Sequence, residues 1–411
     1  MAGRVSLGRD FGWLWAAYAA GTLGTWVAFN AFPLLAITVL HKGSAEVAAL
    51  AAVGAAVGAA VALPLGPWVE FRRKRPVMIA MDLIRCAAML SVAVAYVLDV
   101  LGFTQLVVAS VVVASADITF GAASGACLKA LVPPEGRLVA QARLESTTWT
   151  ATVLGPPLGS ALLALLGPVA TVLVDAVSYL LSASGIRAIR GSEPRPVPRE
   201  GQRMRAGDLL EGWRHILAHP VLRPLFLNAV LVNGLIMATA PLLAVLMLGS
   251  LGFAPWQYGI AFAVPCIGGL IGSRLSRPLV ARYGRHRVLR TSGVVRACWP
   301  VGLVFVHPGV TGMVLVMGVE LALITCSAVF NPVLAAHRLD LTATDRVVRT
   351  LTAWSVTAKA SIAALTALWG LLAVAVGPRA AIGLAGVLLL ATPLLLPREE
   401  ARATTGIDTC K

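Results

Sequence analysis

Residues 66–97 read GPWVEFRRKRPVMIAMDLIRCAAMLSVAVAYV. Four consecutive cations, Arg72-Arg73-Lys74-Arg75, separate two stretches poor in charge, at about 45–69 and 77–98. Each stretch is as long as the roughly 20 residues an α-helix needs to cross about 30 Å of hydrocarbon. The segment therefore reads as a basic loop joining two membrane spans.

The pattern repeats outward in both directions. Further apolar runs fall at about 11–40, 103–128, 139–166 and 168–187, then at 221–249, 256–281, 288–306, 309–336, 347–376 and 379–396. With the two flanking the basic loop they make twelve. The run at 11–40 exceeds the roughly 7–15 apolar residues of a secretory signal, so it reads as a retained first span. Over 411 residues, 58% are hydrophobic and 13% charged, with mean hydropathy +0.82. A β-barrel would instead alternate over strands of about ten residues.

The net charge of +15 does not mark a nucleic-acid binder, because the cations occupy alternate loops. Arg4 and Arg9, the 72–75 cluster, Lys129 with Arg137 and Arg143, the centre of the chain, Arg282 with Arg285 and Arg287, Arg338 with Arg346 and Arg349, and the C-terminal tail all fall on one side. The intervening loops contribute Lys42 and Arg379. The positive-inside rule then places both termini and the central loop in the cytoplasm, which requires an even number of spans.

The chain divides into a six-helix bundle at 1–190, a linker at 191–219 that is Pro- and Arg-rich before turning amphipathic, a second bundle at 220–398 and a tail at 399–411. The linker's end reads as a short interfacial helix. Internal repetition supports the division: Pro33-Leu34-Leu35-Ala36 recurs as Pro241-Leu242-Leu243-Ala244, Arg85 as Arg296, Ile118-Thr119 as Ile324-Thr325, and Gly167-Pro168 as Gly377-Pro378. Parallel repeats of this kind build carriers whose substrate site lies between the halves.

These residues resemble the major facilitator superfamily, and within it the bacterial drug and siderophore exporters of the enterobactin and macrolide efflux type. The resemblance rests on GPWVEFRRKRPVMIAMDLIR at 66–85, LGPPLGSALLALLGP at 154–168 and LVDAVSYLLSA at 173–183. It implies an all-α polytopic fold of about twelve helices in two pseudo-symmetric six-helix bundles. It also implies a multi-pass carrier of the bacterial inner membrane, monomeric, moving a small molecule against protons. The first piece is similar to the family's loop between helices two and three, with Gly66 at the turn and Glu70 where the acid is usually Asp; Arg73 stands where many members have a second Gly. A carboxylate there pairs with arginines in one carrier state and releases them in another. Arg72, Arg73, Asp82, Arg85 and, by the repeat, Arg296 are candidates for that switch. The second piece resembles the antiporter motif of helix five, where Gly155, Pro156 and Gly159 let helices approach closely, with Ala151 in place of the leading Gly. The fourth-span arginine of many proton-coupled members has no counterpart in SADITFGAASG, 115–125.

Ionisable groups inside the hydrocarbon are costly and face the bundle interior. Asp117 shares a helix face with Gly121 and Gly125; Glu320 forms a polar stripe with Ser327 and Asn331; Lys359 lies on a face with Thr352, Ser355 and Thr366. The Ile118/Ile324 match sets Glu320 opposite Ala114, one turn from Asp117, which makes Glu320 a candidate partner for Lys359. Asn30, one turn from Trp26, and Asn233 are further candidates for the substrate pathway, whereas Asp175 reads as structural. Trp13, Trp15, Trp256 and Trp299 read as interfacial anchors.

The expected activity is proton-coupled efflux of amphipathic small molecules by alternating access. Nutrient import or lysophospholipid transport on the same fold, and a non-transporting receptor or scaffold, are the alternatives. No cofactor and no metal are expected, because the six cysteines are scattered and no Cys or His has ligand spacing. Neither an enzyme nor a nucleotide-driven pump is expected: no nucleophile, base or metal set converges, and no GxxxxGK[ST] loop exists.

Overall fold

The computed structural model describes residues 7–29, 31–42, 44–191, 193 and 210–397. Asn30 lies outside the described residues, as do most of the linker and the tail. Among the described residues the chain is helical, without strands.

In the first half, α1 (Gly8–Val27) and α2 (Ala31–Thr38) form one interrupted span, followed by α3 (Ser44–Glu70), α4 (Lys74–Val97), α5 (Phe103–Leu131), α6 (Pro134–Leu166) and α7 (Pro168–Arg187). The linker helix α8 spans Glu211–Ala218. The second half runs through α9 (Leu222–Ala244), α10 (Pro255–Ala263) with α11 (Cys266–Tyr283), α12 (Arg285–Cys298), α13 (Val310–Leu341), α14 (Val347–Val376) and α15 (Pro378–Ala391). Eleven helices or helix pairs are long and apolar enough to cross a membrane. To these we add α6, 33 residues long, whose first half carries Glu135, Arg137, Arg143 and Glu145 and so dilutes its hydropathy.

Two junctions show the repeat physically. Gly167 and Gly377, 210 residues apart, both take positive φ, +81° and +84°, a region that favours glycine, and each is followed by a Pro-led helix. Arg85 lies over the Phe120 ring at 4.6 Å, and Arg296 over the Phe330 ring at 3.6 Å. These pairs fix the offset at 210–211. Glu320 therefore corresponds to Ser110, and Asp117 to Ser327. The Ile118/Ile324 match, at offset 206, came from the biased composition, and the expected level of Glu320 is corrected by about one turn.

Within the first half α1 packs on α6 and α7, α4 on α5 and α7, and α3 on α5; within the second, α11 on α13, α9 on α14 and α15, and α12 on α13. The halves meet through α3 and α5 against α14, and through α6 against α11 and α13. Lipid tails are as apolar as Leu, so such contacts depend on close packing. Gly155 and Gly159 of α6 show this: a Cβ at Gly155 would strike Trp26, and one at Gly159 the Val27 carbonyl.

The two ends of the bundle differ. At the end carrying the basic loops, one apolar core draws on both halves, with Val69, Leu128, Val132 and Ala140 against Leu339, Val347 and Leu351. At the opposite end the cores are separate, one around Leu35, Met89 and Leu106, the other around Leu243, Leu303 and Ile382. The two halves are therefore closed against each other at the basic end.

Candidate functional site

Above the shared apolar seal lies a cavity of about 440 Å³, lined mainly by α1, α5 and α6. Asp117 on α5 projects into it with 55% of its side chain exposed, although the residue sits within a membrane-spanning helix. Its Oδ2 accepts a hydrogen bond from Lys359 Nζ of α14 at 3.1 Å, and its Oδ1 lies 3.5 Å from Arg85 Nη1 of α4. Arg85 is 5% exposed, ion-paired with Asp82 one turn away, and stacked between Phe120 and Tyr179. Two carboxylates and two cations thus form a chain with no net charge, and one of its links crosses between the halves.

Sequence reasoning selected Asp117 and Lys359 but offered Glu320 as a partner of the lysine. The structure corrects this. Lys359 meets Asp117, while Glu320, two turns along α13 from the position equivalent to Asp117, makes no ion pair or hydrogen bond among the described residues. Asn233 is exposed on α9 away from the cavity lining, whereas Asn228, not singled out, is buried and accepts a 2.6 Å hydrogen bond from Arg296. Asp175 is buried and accepts a hydrogen bond from Ser178 Oγ at 3.3 Å.

Glu145 of α6 also lines the cavity and was missed. It accepts hydrogen bonds of 3.1 Å from Trp149 Nε1 and from Asn331 Nδ2 of the other half. Its signal was a polar stripe, Gln141, Glu145, Thr148 and Thr152, at helical spacing inside a run judged by its apolar residues alone. Arg338, over the Trp354 ring at 4.6 Å, supplies a cation to the cavity from the second half. The walls also offer Tyr18, Trp26 and Phe120. The cavity therefore presents aromatic faces, both signs of charge and several hydroxyls to a ligand of small-molecule size.

Below the seal, polar ties hold the halves together. Asp340 of α13 accepts hydrogen bonds from Arg137 of α6 at 2.5 Å and from Arg285 of α12 at 2.7 Å. Lys129 of α5 donates to the Thr342 carbonyl. Glu70, at the end of α3, is ion-paired with Arg349 Nε of α14 at 2.7 Å, the two side chains being 4% and 6% exposed. Arg349 also pairs with Glu211 of the linker helix, whose Gly212 packs on the Arg349 backbone and whose Trp213 donates to Thr357 at 2.8 Å. The linker helix, expected to lie in the lipid interface, turns its apolar face to the protein, with Ile216 fully buried. Burial holds the imidazoles of His215 and His219 below their ordinary range, with Arg346 and His219 adding to the effect at His215.

The proposed switch residues thus separate into two places. Glu70 belongs to the basic end, where Lys74 Nζ caps the carbonyls of Val69 at 2.9 Å and Glu70 at 2.6 Å. Gly66 lies inside α3 rather than at a turn, and its missing side chain lets α14 approach at Thr352. Arg72 lies over Trp68 at 5.3 Å, and Arg73 borders an exposed groove; no ion pair joins either to Glu70 among the described residues. Asp82 and Arg85 belong to the cavity network instead, because Arg85 lies three turns into α4 and faces inward. Arg296 is buried in the second half, bonded to Asn228, and takes no part in the ion pairs described at the basic end. Gly155, Pro156 and Gly159 lie in α6, with both glycines against α1.

Residues 14–328 match the family model of the Major Facilitator Superfamily. A multidrug efflux pump, Tap of Mycolicibacterium fortuitum, is 29% identical over 295 residues, covering 69% of each chain. An uncharacterized MFS-type transporter, YvqJ of Bacillus subtilis (strain 168), is 28% identical over 300 residues, covering 70% of this chain and 68% of that one. Among solved structures, a bacterial homologue of the iron transporter ferroportin in an outward-facing state superposes with TM-score 0.79 at 16% identity, covering 94% of this chain and 98% of that one, a likeness of fold alone. With the family model spanning most of the chain and the two halves packed as described, the protein belongs to the Major Facilitator Superfamily of membrane transporters.

Proposed function

We propose that the protein is a proton-coupled exporter of amphipathic small molecules that works by alternating access. It would be monomeric, in a bacterial inner membrane, with its basic loops and both termini in the cytoplasm. On that reading the closed basic end is the cytoplasmic gate, and the arrangement faces outward. The observation that carries the proposal is the Lys359–Asp117 contact at 3.1 Å, a charge pair shared by the two halves at the wall of the cavity.

The coupling follows from charge balance. Ionised Asp117 satisfies both Arg85 and Lys359, while Asp82 holds the other side of Arg85. A proton entering the open cavity and binding Asp117 removes one negative charge and frees Lys359 from the first half. The unbalanced cation raises the energy of this state relative to one in which the halves have rocked apart at the basic end. A substrate cation reaching the cavity from the cytoplasm would compete with Lys359 for the same carboxylate and displace the proton, which gives antiport. The apolar and aromatic walls support an amphipathic cargo, and the similarity to a multidrug efflux pump supports export.

The test is dye and drug accumulation in efflux-deficient bacteria expressing the chain, with and without a protonophore. The proposal expects lower accumulation with the protein, abolished by the protonophore and by Asp117→Asn. Accumulation unchanged across a broad panel despite confirmed insertion, or raised by the protein, would overturn export.

A further inference from the structure

A second hollow, about 760 Å³, opens on the side of the molecule where α1 and α6 of the first half meet α11 of the second. Its lining includes three guanidinium groups, Arg143 of α6 and Arg274 and Arg277 of α11, and no carboxylate. Arg143 lies nine residues into α6, and Arg274 and Arg277 lie nine and six residues before the end of α11. At about 1.5 Å per residue all three stand roughly 9–14 Å from the basic end, inside the membrane-spanning length. Arg143 and Arg274 are exposed, and among the described residues no acid pairs with either. Arg143 lies over the Trp15 ring at 6.0 Å, and Trp15 Nε1 donates to Thr147 at 2.9 Å, which holds the indole in the wall.

Toward the middle of the membrane the lining becomes apolar, with Leu23 38% and Leu154 49% exposed. Leu154 is eleven residues beyond Arg143 on α6, about 16 Å along the axis. A cationic end near one membrane face and an apolar end about one acyl segment deeper match a molecule built the same way. Exposed arginines at this depth are costly without an anion, and a phosphate accepts the bidentate geometry of guanidinium.

We propose that this groove binds an anionic phospholipid of the leaflet on the basic side, its phosphate held by Arg143, Arg274 and Arg277 and one acyl chain lying along Leu23 and Leu154. Because the walls belong to different halves, the lipid bridges them and favours the state closed at the basic end. The site is separate from the central cavity, with which it shares none of these residues.

The experiment is native mass spectrometry of the purified full chain mixed with dioleoylphosphatidylglycerol or dioleoylphosphatidylcholine. It compares the wild type, the triple variant Arg143→Gln/Arg274→Gln/Arg277→Gln, and a charge-matched control, Arg187→Gln/Arg223→Gln/Arg290→Gln, at exposed cations outside the groove. Each removed charge weakens retention of the anionic lipid about fivefold, so the triple variant loses affinity about a hundredfold. The control retains the lipid, and phosphatidylcholine binds far less to any of them. Arg274→Gln alone, at an exposed position, reads the same way with about a fivefold loss if the triple variant does not fold. Equal retention by wild type and groove variants, or equal loss in the control, overturns the proposal. Displacement of the lipid by glycerol phosphate would also overturn it, by showing a site for a free phosphate in place of a lipid.

Discussion

Replacing Glu70 with Gln removes the carboxylate that Arg349 holds across the halves, and its consequence follows from burial. The two side chains are 4% and 6% exposed, a setting in which deleting one partner costs about 3–5 kcal/mol when the other is left with no counter-charge. Arg349 is not left so, because Glu211 pairs with its opposite edge, and Glu211 is 31% exposed. The loss should therefore fall below that range, at about 2 kcal/mol, because the buried guanidinium keeps one counter-charge. That is roughly a thirtyfold shift of the equilibrium away from closure at the basic end. If about one molecule in twenty of the wild type is open there, about three in five of Glu70→Gln will be. Glu70→Gln/Glu211→Gln, which strips both carboxylates from Arg349, should restore the larger cost. The assay is a spin-label distance measurement between Glu135→Cys at the start of α6 and Thr344→Cys beyond α13, both exposed, in a background lacking the native cysteines. A growing long-distance component is expected, larger in the double variant. Identical distance distributions in all three proteins would refute the assignment of this pair to the gate.

Three further outcomes are expected. Gly159→Ala places a Cβ against the Val27 carbonyl and should cost about 1–3 kcal/mol by overpacking, read as a lower melting temperature in detergent. Arg85→Met, which strands the fully buried Asp82, should destabilise by about 3–5 kcal/mol, whereas Arg296→Met, whose partner is the neutral Asn228, should cost clearly less in the same melts. His215 and His219 have folded-state pKa values depressed by burial, so the docked linker helix disfavours their charged forms; docking is firm above the ordinary histidine range and weakens as pH falls through it. Hydrogen exchange of residues 211–218, corrected for intrinsic rates, should rise between about pH 7.5 and about pH 5.5, and His215→Asn should blunt the rise.

The spans were legible because hydrocarbon permits only helices and closed barrels, and a long apolar run such as 347–376 declares the helix directly. Asp117 and Lys359 stood out for the same reason: a charge amid Ala, Val and Leu is conspicuous. Their contact was not legible, because it depends on which helix faces which across two halves distant in sequence, α5 against α14. The repeat offered a route to that geometry, but the match chosen near Asp117 was four residues out of register, and in a chain so rich in Ala, Val and Leu such matches arise by chance. The Arg85/Arg296 and Gly167/Gly377 matches carried the true register in the sequence, but only the Arg85–Phe120 and Arg296–Phe330 stacks, once rings and guanidinium groups are placed, single them out from the chance match. Glu145 was obscured by its surroundings, since α6 opens with Glu135, Arg137 and Arg143, and one more charge three turns in reads as the end of the basic loop. The role of Glu211 was hidden because a helix of eight residues with one apolar face docks on protein or lipid equally well by pattern.

The central claim is that a proton on Asp117 drives the halves, and it is tested most directly with the purified chain in liposomes under an imposed pH gradient. A cationic amphipathic dye that the protein exports in cells is supplied on one side and its accumulation followed. The account predicts gradient-driven accumulation by the wild type that a protonophore abolishes, and none by Asp117→Asn, which has lost the carboxylate that the proton and the dye share and whose dye exchange without a gradient should fall as well. Gradient-driven accumulation undiminished in Asp117→Asn would contradict it.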